Sequence, residues 1–73
     1  MKKNITVKQL GEMVRKARKS QGLTQTELAG VGNVGLRFIV DLEKGKETAQ
    51  IGKVLHILNS LGLSLTVEGA DDV

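Results

Sequence analysis

Apolar residues recur at intervals of three and four through most of this chain, then at every second residue near its end. The first spacing belongs to helices with one buried stripe, the second to a half-buried strand. Thr6-Val7-Lys8-Gln9 has the form of a capping box, with Thr6 as N-cap and Gln9 at the third helical position. Leu10, Met13, Val14 and Ala17 follow on one face, and Gly22 stands where a helix would stop. A first helix over about residues 7–20 is predicted. Thr24-Gln25-Thr26-Glu27 repeats the capping box and opens a short second helix containing Leu28 and Ala29. Gly30, Gly32, Asn33 and Gly35 then mark a turn. A third helix is expected from about Gly35 to Lys44, with Phe38, Ile39 and Leu42 inward and Gly45 at its end. A fourth begins after Thr48, burying Ile51, Val54, Leu55 and Leu58, with Leu61 near its end and Gly62 as its stop.

Beyond Gly62, the alternation of Leu63, Leu65 and Val67 with Ser64, Thr66 and Glu68 predicts a strand. A lone strand leaves its backbone donors and acceptors without partners. The chain offers one internal candidate, Asn4 to Val7. The other solution is the same strand of a second copy, paired antiparallel about a two-fold axis. The expectation is a homodimer whose seam buries Leu63, Leu65 and Val67 of both chains, with a frayed tail or pairing to residues 4–7 as the alternatives. The organisation read from this is a basic extension at 1–5, a helical domain at 6–62, a dimerisation strand at 63–68 and an acidic tail at 69–73.

Composition narrows the picture. At 73 residues there is room for one small domain, and with a single Phe and neither Trp nor Tyr its core is aliphatic. Without Cys there is no disulfide or thiolate-bound metal to brace it. No apolar run is long enough to span a bilayer and no signal peptide is visible, so a soluble cytoplasmic protein without membrane association is expected. Charge is uneven. Residues 1–20 carry seven Lys and Arg against Glu12, whereas residues 21–73 carry four against seven acidic groups. A basic N-terminal block suits a polyanion, with Arg15, Lys16, Arg18 and Lys19 as candidates for phosphate, while Glu68 to Asp72 suit a tail turned away from it. His56 falls on the outer side of the fourth helix with no second ligand at metal spacing, and no nucleophile–base pair is present. Neither an enzyme nor a cofactor or metal site is expected. The glycines at 30–35 lack the Gly-Lys-Ser/Thr ending and the preceding strand of a nucleotide loop.

Residues 24–46, TQTELAGVGNVGLRFIVDLEKGK, therefore read as a capped short helix, a turn and a second helix: a helix-turn-helix. In such a unit the first helix crosses the phosphate backbone, and the second lies in the major groove. Thr24-Gln25, Leu28-Ala29, Ile39, Leu42-Glu43 and Gly45 match the Cro/CI (Xre-type) pattern T-Q-x-x-L-A, nine residues, I-x-x-I/L-E-x-G without a gap. The chain resembles that family over roughly residues 6–68. With its terminal strand it is similar to the HipB-type antitoxins, which dimerise and repress toxin–antitoxin operons.

The resemblance implies an all-α, lambda-repressor-like domain of four helices plus the paired strand. It implies binding to double-stranded operator DNA, transcriptional repression, and neutralisation of a HipA-like Ser/Thr kinase toxin, either whole or split between two chains. Carried over, Thr24 caps the second helix, Gln25 touches phosphate and braces groove contacts, and Thr26 lies close to the backbone. Gly35, Leu36 and Arg37 form the leading turn of the recognition helix. Arg37 is the expected base reader, because a guanidinium can donate two hydrogen bonds to guanine. Leu36 and Val40 point outward toward thymine methyls, Lys44 and Lys46 reach phosphate, and Glu43 ties the third helix to its neighbours. The chain departs from the pattern at Gly32, where a core leucine is usual, at Gly35, which replaces a Ser or Thr cap, and at Leu36 and Val40, where polar readers are common. Two apolar residues there leave open a second reading, in which Leu36, Phe38 and Val40 bind a partner chain and DNA contact is minor; a third is a phage-type repressor without a toxin partner.

Overall fold

The computed structural model describes residues 4–69. They form α1 (Val7–Ser20), α2 (Gln25–Gly32), α3 (Leu36–Lys44) and α4 (Ile51–Ser60). Both predicted capping boxes are present. Thr6 Oγ1 accepts from the Gln9 amide at 3.0 Å while Gln9 Oε1 accepts from the Thr6 amide at 2.9 Å. Thr24 and Glu27 exchange the equivalent bonds at 3.0 and 2.8 Å. Each reciprocal pair satisfies two amides at a helix start that have no partner within the helix.

All four helices also stop alike. The amides of Leu23, Val34, Lys46 and Leu63 reach back to the carbonyls of Arg18, Ala29, Asp41 and Leu58, at 3.1, 3.0, 3.0 and 2.8 Å. The residue before each takes a positive φ: Gly22, Asn33, Gly45 and Gly62. This is the Schellman arrangement, which satisfies terminal carbonyls and turns the chain sharply. It also aims the residue after the turn. Leu23, Val34 and Leu63 fold back onto the core, so three of the stops pin the helices together as well as ending them. The predicted glycine turn is shorter than expected. α2 continues through Gly32, and Asn33 makes the turn.

The core consists of Val14, Leu28, Ala29, Ile39, Leu42, Val54, Ile57, Leu58 and Leu61. α3 is central, packing on both α1 and α2, while α2 also packs on α4. These contacts correct several expected inward positions. On α1 the buried face is Gly11, Val14 and Arg18, and Met13 is half exposed. On α4 the buried stripe is Val54, Ile57, Leu58 and Leu61, while Ile51 and Leu55 face outward. α2, against which α4 packs, is only eight residues long and covers a single stripe.

Two glycines make the close packing possible. A Cβ at Gly11 would strike the backbone carbonyl of Leu42, so α1 and α3 meet backbone to backbone. A Cβ at Gly32 would strike the Cδ1 of Ile57. The missing core leucine at position 32 is thus replaced by a side chain reaching across from α4. Residues 63–69 have no regular secondary structure, and no strand forms among the described residues, so the pairing of 63–68 with 4–7 is absent. Leu63 is half-buried, whereas Leu65 and Val67 are exposed. Most of the basic extension (1–3) and of the acidic tail (70–73) lies outside the described residues.

Candidate nucleic-acid interface

The site is built from the start of α2 and the outer face of α3. Their relative placement is set by a buried polar cluster. Arg18 and Glu43 are 6% and 8% exposed, in a chain whose core is otherwise aliphatic. Arg18 Nε and Nη2 donate to the two carboxylate oxygens of Glu43 at 2.7 and 3.0 Å, and Nη1 donates to the Leu23 carbonyl at 2.8 Å. This forked geometry is what lets an arginine be buried at all. The hydrogen bond to Glu43 holds the Arg18 guanidinium above its ordinary pKa, against the opposing effect of burial. Arg18 is therefore withdrawn from the group of exposed α1 cations expected to meet phosphate. Its role was not visible locally, because its partner lies 25 residues away.

Gln25 joins this cluster. Its Nε2 donates to Glu43 Oε1 at 3.1 Å, which fixes the half-buried side chain at the mouth of α2. The amides of Gln25 and Thr26, in the first turn, have no acceptor within the helix. Thr24 and Thr26 are exposed beside them. Glu43 thus ties α3 to α1 and α2 together.

Gly35 precedes α3 as its N-cap and supplies no side-chain bond there. Leu36 is 46% exposed and the Arg37 side chain 81%. Val40 is half-buried rather than fully outward, and Lys44 is exposed on the last turn. Phe38 packs against the core edge with the Lys53 ammonium 5.8 Å above its ring. Arg37 and Lys46 converge on one acidic residue. Asp41 Oδ1 lies 3.2 Å from Arg37 Nε, and Asp41 Oδ2 lies 3.4 Å from Lys46 Nζ. Asp41 had no role in the sequence reading. The four-residue spacing from Arg37 was the signal available for it. Leu63 stands apart from this face, in an apolar groove with Met13, Lys16, Ala17 and Ser20 along α1.

A short capped helix, a left-handed turn and a second helix with an exposed leading edge define a helix-turn-helix domain. The helix-turn-helix domain family matches residues 11–70, and the chain belongs to it. An HTH-type transcriptional regulator of Sinorhizobium fredii (strain NBRC 101917 / NGR234), y4mF, is 64% identical over 58 residues, covering 80% of this chain and 76% of that protein. Three solved structures are similar over 97% of this chain. One is described as MDT protein (TM-score 0.81, 28% identity, all of that chain covered). The second is a HipB–O4 20mer complex (0.80, 28%, all of that chain covered). The third is a HipA–HipB–O2–O3 complex (0.81, 27%, all of that chain covered). The chain is a transcriptional regulator of the helix-turn-helix class, similar in fold to HipB.

Proposed function

We propose that this regulator represses transcription by binding a palindromic duplex as a homodimer. The observation that carries the reading is the exposed edge of α3, led by Leu36 and Arg37, held beside the start of α2 by buried Arg18 and Glu43 together with half-buried Gln25. α3 enters the major groove, with Arg37 reading a base edge and Leu36 and Val40 against thymine methyls. The α2 start, with Thr24, Gln25 and Thr26, and the cations Lys44 and Lys46 meet phosphate, and Gly35 lets the backbone approach. Residues 63–68 pair with the same segment of a second copy, burying Leu63, Leu65 and Val67. The two recognition helices then lie about 34–36 Å apart, one helical turn of DNA.

The likeness to HipB in complexes with a 20mer and with HipA supports a further step: the chain is the antitoxin of a module whose toxin is a HipA-like kinase, whole or split. It acts in the cytoplasm. Co-purification with a kinase-like protein encoded beside it tests the toxin pairing.

The DNA reading is tested by selecting duplexes from a randomised pool. The selected and a scrambled duplex are then compared by mobility shift at about 50 and 200 mM salt. A preference for a palindrome that weakens steeply with salt is expected. No shift with either duplex, beside tight binding of a partner chain through Leu36, Phe38 and Val40, overturns it.

A further inference from the structure

Asp41 lies one helical turn after Arg37 on α3, beside the proposed reading face, yet a carboxylate is the wrong charge for a surface that meets phosphate. Its surroundings give it a different task. One oxygen faces Arg37 Nε and the other Lys46 Nζ, at 3.2 and 3.4 Å. The Asp41 side chain is only 17% exposed against 81% for Arg37. The anchored member is therefore the carboxylate, and the exposed cation is oriented by it. A guanidinium carries its five N–H donors in a rigid plane. The ion pair with Asp41 is made at Nε, the root of the guanidinium, and leaves its far end, the two terminal amino groups, as the part that can reach outward. That end-on pair has the spacing of guanine O6 and N7 in the major groove. Without the tether, a long side chain on an exposed helix must give up its rotamer freedom at the moment of docking.

We propose that Asp41 is a positioning residue, orienting Arg37 end-on toward guanine and exchanging general attraction to DNA for discrimination at one base pair. The inference rests on the DNA-binding reading above and extends it.

The test uses the full chain, its selected duplex, a panel of that duplex with each base pair changed in turn, and a scrambled duplex, with binding followed by fluorescence anisotropy. In the unaltered chain, replacing the guanine that Arg37 faces weakens binding about tenfold, and Arg37→Ala abolishes that difference. Asp41→Ala is expected to shrink the same difference to within about twofold of the Arg37→Ala value. Its affinity for the scrambled duplex should hold or rise, because a negative charge has left the interface. Asp41→Asn, which keeps shape and one acceptor, falls between. Circular dichroism of each variant confirms the fold.

Full discrimination retained by Asp41→Ala overturns the proposal. Discrimination lost at a different base pair, one that Arg37→Ala leaves intact, also overturns it and makes Asp41 a base reader itself. An equal loss on every duplex reduces Asp41 to a structural role. If the unaltered chain binds no duplex, it is the DNA-binding reading that fails, and this inference falls with it.

Discussion

The buried Arg18–Glu43 pair gives the sharpest prediction about stability. Glu43 accepts from two nitrogens of Arg18 and from Gln25, and both members of the pair are less than a tenth exposed. Glu43→Ala leaves a guanidinium inside the protein with one remaining bond, to the Leu23 carbonyl, and arginine cannot shed its charge to escape. Removing one partner of such a pair costs about 3–5 kcal/mol. A single hydrophobic core of this size supplies about the same amount in total, so Glu43→Ala should be largely unfolded at room temperature. Replacing both residues removes the stranded charge. Arg18→Met with Glu43→Leu should be as stable as the parent or more so, by up to about 1–4 kcal/mol. Urea denaturation at a fixed protein concentration, followed by circular dichroism, measures all three chains. The double variant should nevertheless bind DNA less well, since Gln25 has lost its anchor. That separates stability from positioning. If Glu43→Ala stays within about 1 kcal/mol of the parent, the pair is not the brace described and the reasoning fails. The pH dependence has a definite sign. The pKa of Arg18 is raised on folding, so its stabilisation is fully present below the unfolded value and is lost only as pH rises through the folded one. Its contribution is therefore flat between about pH 6 and 9.

Gly32→Ala gains about 0.5–1 kcal/mol of helix propensity but forces a Cβ onto Ile57, so overpacking of about 1–3 kcal/mol should leave it net destabilised. Adding Ile57→Val, which deletes the colliding methyl, should recover part of that loss in thermal melts. Gly11→Ala should be worse and not rescued by any side-chain change, because the obstacle is the Leu42 carbonyl. Thr24→Ala should cost about 1 kcal/mol by opening the second capping box, lowering Tm by about 4–8 °C. Lys46→Ala should weaken binding to all duplexes alike and reduce the salt slope by about one, as read from mobility shifts over a salt series.

The helix boundaries were legible in the residues because the forces that set them act within a few positions. Thr6 with Gln9, and Thr24 with Glu27, cap their own helices, and Gly22, Gly45 and Gly62 turn the chain just after the last helical residue. The motif from Thr24 to Gly45 was legible for the same reason. It is contiguous, and Arg37 stands outside because the apolar stripe of its helix faces elsewhere. Which apolar residues are covered was another matter. Met13, Ile51 and Leu55 satisfy the helical period as well as Val14, Val54 and Leu58 do, and only the packing of one helix on another distinguishes the two sets. Arg18 looked like one more surface cation until its partner across the fold was known. Gly32 stands where a core leucine is usual, and only the fold puts the Ile57 side chain in its place. Periodicity and capping are properties of neighbours in sequence, so the chain alone determined four helices and most of their ends, though not the end of α2, which runs on through Gly32 to a turn at Asn33. Burial, charge pairing and the setting of α3 against α2 depend on residues that meet only after the chain has closed on itself, and the tertiary structure alone decided them.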